Sequence, residues 1–368
     1  MANTSIPLVS QINRVPSMTV DLTGEDERKY QEIMESILMI DMHEHPMVFP
    51  DNLDRFIEYL RNSDYEWGYE AAKHGGWSTV ATANGFRGGI NPTHASSAEF
   101  DLVLDEIGIM ITDMSLHSDI VTKVTSPDEI LSAHQQGKLG FFPTVEHLAI
   151  GNQLHRVDVL YAMGVRLAGL TYSHKSYIGD GSAEITDAGL SQFGQAVIER
   201  MNRLGMAVDL SHAGHETALQ AIKYSEAPPI LSHHASFTLR QNMRTAKDDV
   251  LVACVEKGGI VCVMSVPNLL SDDPNQNINV VLDHYDYMVN LVGIDHVGIG
   301  TDTLIADHVD YATRAMGRDK PNAPYLDGLE SPADGKNIIR GLVSRGYSPD
   351  QIRKIAGQNA ISYLRRVM

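Results

Sequence analysis

Residues 38–46 read LMIDMHEHP, an apolar run that leads directly into His43, Glu44 and His45. Side chains on a β-strand alternate between its two faces, so a strand over residues 38–45 would project His43 and His45 to one side and Glu44 to the other. A single buried histidine is more often structural. Two imidazoles on one face at the end of an apolar strand form half of a metal site, since histidine is the commonest metal ligand. We therefore expect both to bind metal.

Seven further strand-like runs follow this one, with helical patterns between most of them. Such alternation predicts a parallel sheet of the α/β class, and eight units predict a closed (β/α)8 TIM barrel. Gly164, Gly205 and Gly258 are placed to end three of the helices. The further predicted strands are 107–116, 140–146, 166–172, 206–212, 229–233, 259–266 and 297–302. The predicted helices between them are 127–136, 156–163, 190–204, 215–225, 248–257 and 280–291.

We expect one domain over residues 1–368, in which the remaining segments are additions to the barrel. Residues 1–24 read as an arm laid over the fold, followed by a short helix to residue 36. Residues 46–105 form a long irregular excursion, and its aromatic residues and glycines favour a lid or insertion over disorder. Residues 334–368 read as two or three extra helices packed outside the barrel.

Composition excludes several classes of protein. The formal charge of −18 argues against nucleic acid or an anionic membrane as a partner, which leaves a small molecule as the expected ligand. The two cysteines, Cys254 and Cys262, have no C-x-x-C spacing, so neither a disulfide framework nor a thiolate zinc site is predicted. The sequence shows neither a long apolar run nor a signal pattern, and we expect a cytoplasmic protein. A homo-oligomer such as a dimer is left open.

Histidines and carboxylates recur where the predicted strands end, and in such barrels this rim carries the active site. Because several strand ends carry a histidine or a carboxylate on the same rim, chance does not explain the placement of these residues. Beyond the first strand, the polar residues at these ends are Glu146, His147, Ser211, His212, Ser232, His233, His234, Thr301 and Asp302.

Five motifs between residues 189 and 367 are specific enough to suggest a family. They are VDLSHAG at 208–214, ILSHHAS at 230–236, GIGTD at 298–302, GLSQFGQAVIERMNRLG at 189–205 and KIAGQNAISYLRRV at 354–367. With them, the chain from about residue 38 to its end resembles the membrane (renal-type) dipeptidase family of zinc peptidases, within the amidohydrolase superfamily. The resemblance implies a barrel of the metal-dependent hydrolase type that cleaves an amide bond.

The resemblance also implies two divalent metal ions. By position, the ligands would be His43 and His45 for the first ion, His212 and His233 for the second, and Glu146 for both. Asp302 would hold and deprotonate the bridging water. The residue types agree, because two neighbouring cations need a shared anionic ligand and Glu146 lies on the correct rim. Imidazoles and carboxylates without thiolates favour Zn2+, with Mn2+ or Fe2+ left open.

Substrate binding is implied for a second set of residues. Arg244 lies eleven residues after His233, the register at which the family binds a substrate carboxylate, and a guanidinium suits that role. Tyr172 stands where the family has a histidine beside the substrate carbonyl, and its hydroxyl could donate to an oxyanion. His174 could lie in the same pocket. The family usually has aspartate at the position of His45.

Structural roles remain open for several of these residues. Glu146 could pair with a core arginine, Asp302 could cap a turn, and Arg244 could be a surface charge. His147 and His234 each adjoin a proposed ligand and would point away from it on a strand.

Three other functions also remain open. The first is hydrolysis of another small amide, lactam, lactone or ester, which the departure at Tyr172 keeps in view. The second is a metal-dependent lyase or decarboxylase, because a divalent site can stabilise an enolate. The third is a non-catalytic metal-binding relative, which the presence of Asp302 disfavours.

Overall fold

A parallel sheet of short strands forms the centre of the computed structural model, which describes residues 6–62, 65–85, 100–314 and 323–368. Each strand is two to five residues long. The strands in these ranges are β1 Ile40–Asp41, β2 His45–Val48, β3 Thr79–Ala81, β4 Val121–Lys123, β5 Leu139–Phe142, β6 Thr144–Val145, β7 Leu167–Gly169, β8 Ala207–Asp209, β9 Ile230–His234, β10 Ile260–Val263, β11 Val297–Ile299 and β12 Leu304–Ile305.

The order of the strands closes on itself. The main sheet runs β4-β5-β3-β1-β11-β10-β9-β8-β7-β6. β5 and β6 are parts of one segment divided by Pro143, which has no amide hydrogen for a ladder. The first part pairs with β3 and the second with β7, so eight strands complete a ring through this segment while β4 lies outside it. The predicted (β/α)8 architecture is confirmed.

Helices alternate with the strands and surround the ring. Ser191 begins α7 by accepting a hydrogen bond from the amide of Gly194, and Gly205 ends it with a φ of 70°. Gly164 and Gly258 also have positive φ at helix ends, as predicted. The helices of the described residues are α1 Gly24–Met34, α2 Phe56–Asn62, α3 Tyr69–Gly75, α4 Phe100–Leu116, α5 Pro127–Gln135, α6 Arg156–Met163, α7 Gln192–Leu204, α8 His215–Tyr224, α9 Asp248–Glu256, α10 Ile278–Val292, α11 His308–Arg314, α12 Lys336–Ser344, α13 Pro349–Arg353 and α14 Asn359–Val367.

Alternate residues of the strands belong to two apolar layers. Val208, Leu231 and their equivalents pack outward against helices such as α7 and α9. Ile230, Ile260 and their equivalents form a second cluster with residues of α14. The hydroxyl of Tyr363 donates to the carbonyl of Pro228, just before β9, so α14 lies at the end of the barrel opposite the site. Burying each large aliphatic side chain contributes about 1.5–3 kcal/mol.

The second barrel strand corrects the sequence prediction. The predicted strand at residues 107–116 is wrong, because this run forms the C-terminal part of α4. Its buried positions include Val103, Ile107, Met110 and Met114, the three- to four-residue spacing of a helix face. The second strand of the ring is β3, which lies within residues 46–105.

The excursion at 46–105 is therefore corrected in part. Its described residues include β2, α2, α3 and β3, so this part is regular structure and not an irregular loop. Residues 63–64 and 86–99 of the excursion lie outside the described residues. A lid role stays a prediction.

The N-terminal arm lies against the segments that follow the barrel strands. The amide of Val9 donates to the carbonyl of Phe49 at 3.0 Å, directly after β2. The guanidinium of Arg14 pairs with Glu330, with an Nε–Oε1 distance of 2.7 Å. Among the described helices, none has both the length and the apolar character required to cross a membrane. The cytoplasmic location stays a prediction.

Candidate metal centre

His43 and His45 follow the carboxyl end of the first barrel strand. β1 ends at Asp41, the backbone bends at residues 42–43, and His45 begins β2. The continuous strand predicted for residues 38–45 is therefore wrong. The two imidazole rings nevertheless lie together, with centroids 5.0 Å apart and planes at 87°.

Three groups of potential ligand atoms lie at this rim: two of them share Glu146, and the third is His43, Asp209 and His233. Within each group, one atom from every residue lies within 4.8 Å of the others. The first group is His43, His45, Glu146 and Asp302, and the second is Glu146, His212 and His233. The structure thus brings the five predicted ligands together with Asp302. It also places Glu146 in both groups, which is the arrangement that a bridging carboxylate requires.

Asp302 is held against the first group by its backbone as well as its side chain. Its amide donates to the carbonyl of His43 at 2.9 Å, and its φ is 56°, a left-handed conformation that aspartate tolerates better than most residues. Burial acts to raise the pKa of Asp302, but the hydrogen bond to His45 and the nearby imidazoles outweigh it. The pKa therefore lies below its usual range, and Asp302 is a carboxylate.

Glu146 lies between the two groups. Its Oε1 is 3.1 Å from Nε2 of His212 in the second group. Burial raises the pKa of Glu146 to about 7, although the charges of His45 and Arg244 act in the other direction. The raised pKa means that burial destabilises the ionised form of Glu146. A nearby cation, such as a metal ion, would stabilise that ionised form in place of the proton.

The donor atoms themselves fit divalent metal ions. Nε2 of His43 and Nε2 of His233 are buried and have no hydrogen-bond partner among the described residues, whereas buried polar atoms are normally paired. Burial lowers the pKa of His43 to about 3 and that of His233 well below its usual value, so both rings are neutral, as metal ligands must be. Nitrogen and oxygen donors without thiolates suit Zn2+, Mn2+ or Fe2+.

Asp209 is a buried carboxylate beside the site that the sequence analysis did not indicate. Its Oδ1 accepts hydrogen bonds from the amides of Ser211 and Ser232 and from the hydroxyl of Ser211, and its Oδ2 accepts from the hydroxyl of Ser232. Although Asp209 lies near His43 and His233, its oxygens are thus already used within the protein. Its signal in the sequence is a charged residue inside the apolar strand β8.

Two glycines permit close backbone contact beside these residues. A Cβ on Gly169 would lie 2.0 Å from the carbonyl oxygen of Glu146, and one on Gly300 would lie 1.7 Å from that of Ser232. Real Cβ contacts are never so short. These backbone segments can therefore approach this closely only because both positions lack a side chain.

Arg244 and Tyr172 lie beside the second group. Arg244 is only 3% exposed, which excludes a surface role. Its Nη1 donates to the carbonyl of Ser211, and its Nη2 lies 3.0 Å from Nε2 of His212. The ring of Tyr172 stacks on the ring of His212, with centroids 4.2 Å apart and planes at 22°.

Three other histidines lie outside the two groups. Nδ1 of His174 is 3.9 Å from Oε1 of Glu184, and its side chain is 40% exposed. His147 is buried against Tyr172. His234 lines a separate cavity of about 180 Å³ between the barrel and the segment that carries Arg244. The structure does not bring His174 into the cluster with the predicted ligands.

Comparison with known sequences identifies a family. The sequence profile of membrane dipeptidases, peptidase family M19, matches residues 27–368. Dipeptidase tcpJ of Claviceps purpurea is 29% identical over 278 residues, which cover 74% of this chain and 61% of that protein. The chain thus spans less than two thirds of the length of this relative.

Solved structures share the fold. An amidohydrolase from Pseudomonas aeruginosa is 25% identical with a TM-score of 0.76, over 92% of this chain and 99% of that one. A metallo peptidase from Rhodobacter sphaeroides, solved with a phosphinate mimic of the dipeptide L-Ala-D-Ala, is 20% identical with a TM-score of 0.73. That match covers 90% of this chain and 100% of the other.

Proposed function

Since this chain belongs to the membrane dipeptidase family, peptidase family M19, we propose that it is a metal-dependent hydrolase of small dipeptide-like amides that carry a free carboxylate. One observation supports this most directly. Glu146 lies in both groups of ligand atoms, with Asp302 in one group and Arg244 against the other. A general base and a carboxylate-binding cation would thus lie on either side of a bridging ligand.

We further propose two divalent ions, with Zn2+ favoured and Mn2+ or Fe2+ as alternatives. His43 and His45 would hold the first, His212 and His233 the second, and Glu146 both. When bound, such ions polarise a carbonyl and lower the pKa of water. The Nε2 atoms of His43 and His233 support this assignment, because both are buried and neither forms a hydrogen bond within the described residues.

Asp302 would move the proton in the reaction. Its Oδ1 would accept a proton from the attacking water as the water oxygen bonds to the amide carbon. The same oxygen would donate that proton to the amine nitrogen as the carbon–nitrogen bond breaks. Its low pKa keeps Asp302 ready to accept the proton, and its contact with His45 orients the carboxylate.

Arg244 would bind the carboxylate of the substrate. A guanidinium can donate two parallel hydrogen bonds to a carboxylate, and Nη2 of the buried Arg244 lies 3.0 Å from Nε2 of His212 in the second group, which supports this role. The overall charge of −18 would not attract an anionic substrate, so local cations must provide the recognition.

Tyr172 would lie on the other side of the reacting carbonyl. Its stacking on His212 supports a position beside the second group, from which its hydroxyl could donate to an oxyanion. His174 stays a prediction, since its exposed contact with Glu184 gives it no support. An oligomeric state such as a dimer also stays a prediction.

One other function is favoured by a specific observation. Tyr172 stands where the family has a histidine, and this changes the pocket at the carbonyl. Hydrolysis of another small amide, a lactam, a lactone or an ester is therefore the second candidate.

The experiment that separates the two candidates is a substrate screen. Metal-depleted protein, reconstituted with Zn2+ or Mn2+, would be assayed against dipeptides, N-acyl amino acids, neutral amides, lactones and esters. We expect metal-dependent cleavage of amides that carry a carboxylate. Turnover restricted to neutral lactones or esters would support the second candidate, and a protein that binds no metal would exclude both.

A further inference from the structure

We infer that Ser232 is a positioning residue shared by the two metal groups: its hydroxyl accepts hydrogen bonds from Nδ1 of His43 and of His233, and so directs Nε2 of both rings to the ions. The inference deepens the proposed function, because it assumes the same metal centre. Ser232 lies in β9 and is fully buried. Its Oγ is 2.8 Å from Nδ1 of His233 and 3.4 Å from Nδ1 of His43.

Counting protons assigns the direction of these contacts. Oδ2 of Asp209 accepts from the hydroxyl of Ser232, and no other described residue donates to that oxygen. The single hydroxyl proton of Ser232 is thus used by the carboxylate, so only lone pairs of Oγ remain for the two imidazoles. Both imidazoles must then carry their proton on Nδ1.

The same tautomer explains the unpaired atoms. With the proton on Nδ1, each ring presents a lone pair at Nε2, and each Nε2 is a buried nitrogen that forms no hydrogen bond in the described part of the chain. The two rings lie close together, with centroids 3.5 Å apart and planes tilted by 30°. One hydroxyl can therefore reach both Nδ1 atoms.

The backbone fixes this hydroxyl in position. The amide of Ser232 donates to Oδ1 of Asp209 at 3.0 Å. Its carbonyl is approached so closely by Gly300 that no side chain fits between them. Ser232 is thus fixed by contacts from β8 and from the segment that follows β11, and it can hold a ligand from each metal group at a constant separation.

Neighbouring serines provide matched variants. Ser173 Oγ lies 3.3 Å from Nδ1 of His212, a ligand in the second group alone. The Ser211 hydroxyl donates to Asp209, lies 3.2 Å from the hydroxyl of Ser232 and accepts from the backbone amide of His233, so its contacts among the described residues include no imidazole nitrogen. Three serine-to-alanine variants therefore remove an imidazole contact from both groups, from one group or from neither.

The test measures Zn2+ affinity by chelator competition in the wild type and in Ser232→Ala, Ser173→Ala and Ser211→Ala. We expect Ser232→Ala to weaken both ions by about 10–100-fold, the usual effect of losing an outer contact of a metal ligand. Ser173→Ala should weaken one ion, and Ser211→Ala should resemble the wild type. Wild-type affinity in Ser232→Ala, loss of a single ion in it, or an equal loss in Ser211→Ala would each overturn the inference.

A second measurement needs no variant that could fail to fold. In zinc-loaded wild-type protein with 15N-labelled histidine, two-bond 15N–1H spectra should show protons on Nδ1 of His43 and His233. Protons on Nε2 instead would reverse the assignment. If the wild type bound no metal at all, the proposed function would fail, whereas normal binding with an unaffected Ser232→Ala would refute the inference alone.

Discussion

Nε2 of His45 lies 3.1 Å from Oδ1 of Asp302, although the two residues are 257 positions apart in the chain. The same oxygen is 3.5 Å from Nε2 of His43. Residues that follow β1 and β11, the first and last strands of the barrel, thus meet at one carboxylate oxygen. The family usually has aspartate at the position of His45, so an imidazole here gives the site one negative charge less and provides Asp302 with a hydrogen-bond partner.

Replacing Asp302 should separate catalysis from metal binding. Asp302→Asn keeps the shape and tolerates the φ of 56°, but amide oxygen is a poor proton acceptor. We expect kcat to fall by about 10²–10⁴-fold while metal content and thermal stability stay near those of the wild type. Steady-state kinetics and elemental analysis would test this. A variant with nearly normal kcat would show that Asp302 only shapes the turn.

The shared position of Glu146 predicts a difference between two alanine variants. Glu146→Ala removes a ligand atom from both groups, so both ions should be lost together. His212→Ala removes a ligand from the second group only, and one ion should remain. Metal content per chain after gel filtration would be compared for both. Retention of one tightly bound ion in Glu146→Ala would mean that the carboxylate does not bridge.

Arg244 should matter only for substrates with a carboxylate. Arg244→Lys keeps the charge and loses the two-pronged geometry, so kcat/KM should fall by an amount equivalent to about 1.5–3 kcal/mol. Neutral amides or esters serve as the internal control and should show nearly unchanged kcat/KM. Equal losses for both substrate classes would instead indicate that Arg244 supports Ser211 and His212.

The pair between Arg14 and Glu330 predicts how stability depends on pH. Burial raises the pKa of Glu330 to about 7 from its ordinary 4.5, although Arg14 acts to lower it, while Asp334 and Asp307 raise it further. The folded state therefore holds this proton more tightly than the unfolded state. The resulting stabilisation is present below pH 4.5 and is lost as the pH rises through 7, a change of roughly 3 kcal/mol.

Glu330→Gln should remove this contribution. The free energy of unfolding, measured in urea on metal-saturated protein, should fall less steeply between pH 4.5 and 8 in the variant than in the wild type. Because both proteins carry the same metal centre, the difference between their curves isolates residue 330. Parallel curves would contradict the assignment.

The sequence predicted the barrel best where strands are followed by long amphipathic helices. β7, β8, β10 and β11 lie within the predicted runs and β9 extends one residue beyond its run, because short apolar runs next to helices with glycine at their ends leave little ambiguity. β3 was missed because three residues are too few to show a two-residue period. The apolar run at 107–116 was misassigned because it is rich in isoleucine, yet its helical spacing begins upstream at Val103.

The site was predicted through residue types, and the local geometry differs from the expectation. His43 and His45 were expected to share a face by strand alternation. They are brought together instead by a bend after Asp41 and by pairing of β2 with β12. Asp209 and Ser232 could not be assigned from periodicity, since their roles depend on contacts between strands that lie 23 residues apart in sequence.

Gly169 and Gly300 have a consequence for how this site can evolve. Any other residue at either position would push a strand away from the carbonyl of Glu146 or Ser232. The backbone segments around the ligands can keep their present spacing only while both positions are glycine. Substitution by larger residues therefore cannot adjust this spacing in small steps. New substrate preferences would have to arise at the rim, in segments such as those carrying Tyr172 and Arg244, while the strand ends beneath them stay unchanged.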